Sequence, residues 1–225
     1  MRLIVCFKKS DNTKYISHLD LQRTVDRALR RSGVNVLYTS GYNPHIQMSF
    51  AFALKVGITS NNEYLEVVVD DMIDVADAEK RITSSFPKGL EVNWVKVKKE
   101  GTKKLMASVA MARYTIILES ACDLAKIKKT MGEILSLETM ILEKKTKKGL
   151  REFDARPLIY KMNLDEKENT LDLLLAAQDP STLDPNVLFR KILLEAGEKC
   201  EYNISRNDLY TIQNKKVFSL SHLAE

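Results

Sequence analysis

Residues 17–33 contain one helix with both ends marked, and the rest of the fold has to accommodate it. Ser17 with Asp20 three residues on has the spacing of a capped N-terminus. Leu21, Val25, Ala28 and Leu29 fall at i, i+4, i+7 and i+8, one apolar face, and Gly33 stands where a left-handed residue closes a helix. Such a face must be buried against another element. The neighbours supply strands: residues 2–8 alternate short apolar and basic side chains, a polar turn follows at 9–13, and residues 34–38 form a second extended run.

The same logic orders the rest of the chain. Residues 46–54 and 63–69 read as strands joined by a hairpin at 57–62, where Gly57 and a polar run stand together. Asp74 caps a helix reaching Ile82, Pro87-Lys88-Gly89 breaks it, and 90–97 is another strand. Past the charge-rich break at 98–104 the element order returns. A strand at 114–118 leads to a helix capped by Ser120, with Leu124, Ile127, Met131, Ile134 and Leu135 on one face. Strands follow at 139–143, 158–162 and 170–176, then a helix from Asp184-Pro185 to Gly197 and a strand at 209–212. The expected fold class is α+β, two tandem ferredoxin-like (βαββαβ) sandwiches with antiparallel sheets. The expected domains are 1–98, a linker at 99–111, and 112–225.

With 225 residues, 44% of them hydrophobic, the chain can bury a substantial core. A net charge of +5 and a pI near 8.9 favour an anionic partner such as nucleic acid. Cys6, Cys122 and Cys200 lie too far apart for a CxxC, a zinc ribbon or a CxxxCxxC iron–sulfur loop, and their odd number argues against a disulfide framework. The N-terminal apolar run is too short for a signal segment, and no later run could span a bilayer. A reduced, cytoplasmic, soluble protein is expected, with no metal, no cofactor and no membrane partner. HExxH, GxxxxGK[ST] and GxGxxG are absent, which removes zinc protease, P-loop NTPase and dinucleotide oxidoreductase readings.

The candidate site residues cluster early. Arg23, Arg27, Arg30 and Arg31 share the polar side of the first helix, and arginine's planar fork suits phosphate oxygens. The competing reading is a solvated face laced to Asp20 and Asp26. His18 opens that helix beside Lys14 and Tyr15, and His45 ends the Gly41-Tyr42-Asn43-Pro44 turn, where Tyr42 offers a flat face for a base. Imidazoles so placed could serve metal-independent RNA cleavage, with His18, His45 and Tyr15 the catalytic candidates, or could be structural hydrogen-bond partners. A second basic cluster holds Lys144, Lys145, Lys147, Lys148, Arg151 and Arg156, either a track for nucleic acid or a solvated hairpin tip.

The run Tyr15-Ile16-Ser17-His18-Leu19-Asp20-Leu21-Gln22-Arg23, with Gly41-Tyr42-Asn43-Pro44-His45, Glu63-Tyr64-Leu65 and Asp154-Ala155-Arg156-Pro157, resembles the bacterial radical-SAM-linked domain of unknown function. That resemblance implies a partner rather than a reaction: a radical SAM protein acting in trans, since this chain has no cluster-binding loop of its own. Family genes commonly neighbour those for an E/G-type ribonuclease and ribosomal proteins, so RNA or ribosome-associated RNA is an expected ligand. The leading expectation is an RNA-binding or substrate-presenting module that is not an enzyme by itself. The alternatives are an endoribonuclease using His18 or His45 and a protein–protein adaptor docking on the radical SAM partner. A doubled ferredoxin-like fold also looks like CRISPR repeat-processing endoribonucleases, but the glycine-rich C-terminal loop of those enzymes is missing.

Overall fold

The computed structural model describes residues 1–146, 149–178 and 181–225, without the side chains of residues 144–146 and 181. The fold is mixed α+β, with mostly antiparallel strand pairing and five α-helices among the described residues. Tertiary contacts divide the chain into two compact units, Met1–Ala110 with Arg206–Glu225, and Met111–Ser205.

The first unit runs β1 (Arg2–Lys9), α1 (His18–Ser32), β2 (Met48–Phe50), β3 (Ile58–Val68), α2 (Val75–Ser85), β4 (Leu90–Val97) and the short α3 (Leu105–Ser108). β1 is central, antiparallel to β3 on one edge and to β4 on the other, and β2 adds to β3. Strand alternation sends Leu3, Val5 and Phe7 to one face, where they meet Leu21, Val25 and Leu29 of α1 and Ala78 and Ile82 of α2. Each such aliphatic side chain contributes about 1.5–3 kcal/mol by leaving water. Both helix starts are capped: the Asp20 N–H donates to Ser17 Oγ at 3.1 Å and the Asp77 N–H to Asp74 Oδ1 at 3.0 Å. Gly33, at φ 64°, ends α1.

The second unit runs β5 (Met111–Leu118), α4 (Leu124–Ser136), β6 (Ile141–Thr146), β7 (Gly149–Asp154), β8 (Ile159–Asp165), β9 (Thr170–Gln178), β10 (Ser181–Thr182) and α5 (Pro185–Ala196). β9 pairs antiparallel with β5, β8 and β10, while β6 and β7 form a separate hairpin. α4 and α5 pack on each other, with Ile127, Met131 and Ile134 of one and Leu188, Phe189 and Ile192 of the other buried. β11 (Tyr202–Gln213) belongs to this unit through Ser205 and to the first unit from Arg206 on, where β12 (Lys216–Ser219) pairs with its end.

Several elements differ from the sequence expectation. Residues 34–38 make isolated bridges, Val36 to Val69 and Tyr38 to Ile46, rather than a strand. The hairpin expected at 57–62 lies almost wholly inside β3. Its polar residues are strand residues with partners: Ser60 Oγ donates to the Arg206 carbonyl at 3.1 Å, and Asn62 Nδ2 to that of Asn207 at 3.0 Å. The cap of α4 is Asp123, whose carboxylate accepts from Ala125 N and Lys126 N, whereas Ser120 Oγ accepts from Glu201 N. β7, β10, β12 and α3 were not foreseen. Where the sequence places a boundary near 99–111, Arg206–Glu225 nonetheless cluster with the first unit.

Candidate functional site

α1 and the segment that follows the turn at 41–45 border a cleft of about 450 Å³ in the first unit. Helical spacing puts Leu19, Gln22, Arg23, Asp26 and Arg27 on one side, and His45, Ile46 and Met48 close the other. The rim is held by backbone: Thr39 N donates to the His45 carbonyl at 2.8 Å, and His45 N to Thr39 Oγ1 at 3.1 Å. Gln47 adds a bond from its amide to the Tyr38 carbonyl at 2.7 Å.

The four-arginine stripe separates into two pairs. Arg23 reaches Asp20, and Arg27 reaches Thr24 Oγ1, only at 3.5 Å, the outer limit of a hydrogen bond, so both forks can turn to a ligand. Arg30 instead clasps Asp26 at 2.8 and 3.4 Å and lies 5.1 Å from the Tyr38 ring centroid. Arg31 donates to the Ser85 carbonyl at 2.9 Å and so ties α1 to the end of α2. The structure therefore brings Arg23, Arg27 and His45 together in the cleft and engages Arg30 and Arg31 elsewhere.

His18 is the first residue of α1. Gln22 Nε2 lies 3.2 Å from its Nε2. The His18 Nδ1 is buried without a hydrogen-bond partner, and the ring stands edge-on to Phe50 at 5.3 Å. Burial lowers its pKa below the usual histidine value, Glu63 pulling the other way. His18 is thus a neutral, packed imidazole that positions Gln22. Tyr15 and Tyr42 are exposed, Tyr42 completely. Arg151 is exposed on β7. Arg156 donates from Nε and Nη2 to the Leu135 carbonyl at 3.2 and 2.7 Å, and from Nη1 to that of Ile159 at 3.3 Å, finishing the end of α4. Lys147 and Lys148 lie outside the described residues, as do the side chains of Lys144 and Lys145.

Sequence reasoning missed a buried charge cluster in the first unit. Arg206 is fully buried and bidentate to Glu63, and it also donates to the Phe52 carbonyl at 2.9 Å. Lys9 is buried too, its Nζ donating to the Lys14 carbonyl at 3.1 Å, and burial lowers its pKa. One signal was readable: Glu63 is in phase with Leu65 and Val67, which places a carboxylate on the buried face of β3 opposite Phe7. Among the described residues no group of three or more His, Cys, Asp or Glu could hold a metal, and no helix is long and apolar enough to cross a membrane.

Fold and site together define an α+β protein with an arginine-lined cleft along its first helix. The chain belongs to the family described as "Uncharacterized protein conserved in bacteria (DUF2344)", which matches residues 2–185. That description names no radical SAM enzyme. No curated protein matches this sequence. Among solved structures, a chain of a Cbf5-Nop10-Gar1 complex is similar over 92% of this chain and 48% of its own, with 11% identity and a TM-score of 0.51. The present chain thus spans about half the length of that protein, and the likeness is one of fold. An unknown protein from Galdieria sulphuraria aligns over 91% of this chain and 97% of its own at 13% identity, with a TM-score of 0.29.

Proposed function

We propose that the α1 cleft binds a phosphate-bearing strand, RNA first of all, and that the protein is a binding or substrate-presenting module rather than a catalyst. The observation that carries this is the pair Arg23 and Arg27, the two arginines of the stripe that line the cleft and have only 3.5 Å contacts to their neighbours. Phosphate oxygens match their forks, while Leu19, Ile46 and Met48 offer apolar surface to a base or ribose. The basic balance of the chain favours the encounter. A cytoplasmic location and a radical SAM partner in trans belong to this proposal through the sequence resemblance. The ferredoxin-like reading of the first unit is supported by its strand order β4-β1-β3-β2 with both long helices against one sheet face. The packed state of His18 weighs for binding over RNA cleavage.

The test is fluorescence anisotropy of a labelled single-stranded RNA across a salt series, with wild type and an Arg23→Glu/Arg27→Glu variant. Binding that weakens steeply with salt and drops at least about tenfold in the variant supports the reading. Equal binding by both proteins overturns it.

A further inference from the structure

The three cysteines fall into two settings. Cys6 is buried in β1 and donates to Asn62 Oδ1 at 3.3 Å. Cys122 and Cys200 are only half-buried and sit on neighbouring connections of the second unit, Cys122 just before α4 and Cys200 between α5 and β11. Hydrogen bonds clamp these connections on both sides of the thiols. Toward the strands, Glu119 N donates to the Glu201 carbonyl and Glu201 N to Ser120 Oγ, each at 2.8 Å. Toward the helices, Asp123 N donates to Glu198 Oε2 at 3.2 Å, and Lys126 holds the same carboxylate at 2.9 Å. These bonds bracket Cys122 and Cys200 from both sides and so set the two cysteines on adjoining segments.

We propose that Cys122 and Cys200 are a redox-modification site that closes to a reversible disulfide under peroxide. Two thiols on segments bonded to each other on either side, and partly open to solvent, need little displacement to bond. The chemistry balances in two steps. The Cys122 thiolate attacks one oxygen of hydrogen peroxide and the O–O bond breaks, leaving Cys122 as a sulfenic acid and a hydroxide that takes up the proton released from the Cys122 thiol to become water. The Cys200 sulfur then attacks the sulfenic sulfur, the S–O bond breaks, and the departing hydroxide leaves as water with the Cys200 proton. The two thiols lose two electrons and two protons, and one peroxide becomes two waters. A dithiol reductant reverses the reaction by exchange. Burial, and then its neighbour Cys122, push the Cys200 pKa up to about 11, which disfavours Cys200 as the thiolate that meets peroxide first. The disulfide closes a loop of roughly eighty residues and fastens the start of α4 to the approach to β11.

The experiment treats the full chain with hydrogen peroxide, blocks remaining thiols with N-ethylmaleimide, and digests it for mass spectrometry. The expected product is a Cys122–Cys200 cross-linked peptide two hydrogens lighter than its parts, lost on treatment with dithiothreitol, with Cys6 still a thiol. Tm should rise by roughly 5 °C on oxidation of wild type and stay put in Cys122→Ser and Cys200→Ala, whose reduced folds are checked by circular dichroism. Sulfinic acid at either cysteine, or linkage only between two copies of the chain, with no intramolecular cross-link, overturns the proposal.

Discussion

Arg206 Nη2 and Nε lie 2.5 and 3.0 Å from the two carboxylate oxygens of Glu63, and both residues are buried. Positions 143 apart in sequence are thereby joined in one buried ion pair. Desolvation makes such a pair a modest net stabiliser, but breaking it leaves an uncompensated charge in the core. Arg206→Met should therefore cost about 3–5 kcal/mol in chemical denaturation, and Glu63→Leu alone a similar amount. The double variant should lose clearly less than the two single losses added together.

The split in the arginine stripe predicts different phenotypes. Arg23→Ala and Arg27→Ala should each weaken RNA binding several-fold and lower the salt slope by about one, because each removes one phosphate contact. Arg31→Ala should leave that slope unchanged and lower Tm instead, since its guanidinium holds the Ser85 carbonyl. Anisotropy and thermal melts on the same preparations separate the two effects.

His18 predicts an acid-side loss of stability. Its folded pKa is lowered from 6.5, by burial first, with Lys9 and Arg206 acting in the same direction and Glu63 against them. Between that lowered value and 6.5 the unfolded chain binds more protons than the folded one, so stability is full above about pH 6.5 and falls as pH drops below it. Denaturant titrations at pH 7.5 and 5.5 should show a smaller loss in His18→Gln than in wild type.

Gly33 closes α1 at φ 64°, and a Cβ there would stand 2.6 Å from Arg81 Nη2, which itself donates to the Gly33 carbonyl. Gly33→Ala should destabilise the protein by about 1–3 kcal/mol, because it adds backbone strain and displaces the arginine. Gly101→Ala meets no neighbour within 4 Å, so at its φ of 69° it isolates the backbone cost alone.

The helix ends were legible because they are local: Ser17, Gly33, Asp74 and the Asp184-Pro185 pair act on groups within a few residues, as the structure shows. The α4 cap was misplaced because Ser120 and Asp123 are both good caps, and tertiary pairing of Ser120 with Glu201 decided between them. Polar residues 60–62 read as a turn since nothing nearby reveals that the Arg206 and Asn207 carbonyls accept from Ser60 and Asn62. The same distance hid the Glu63–Arg206 pair. At the cleft, Arg23, Arg27 and His45 were readable from helix phase and the turn beside it, whereas the engagement of Arg156 with Leu135 depends on how the end of α4 packs.

The first unit is not continuous in sequence: it needs Met1–Ala110 and also Arg206–Glu225. A chain growing on the ribosome therefore makes β1, β3 and β4 early yet cannot give Glu63 its counter-charge until Arg206 has been added and has left the exit tunnel. Through that interval Glu63 lacks the bidentate partner that Arg206 supplies, with Lys9 the buried cation already beside it. The unit that begins first is completed last.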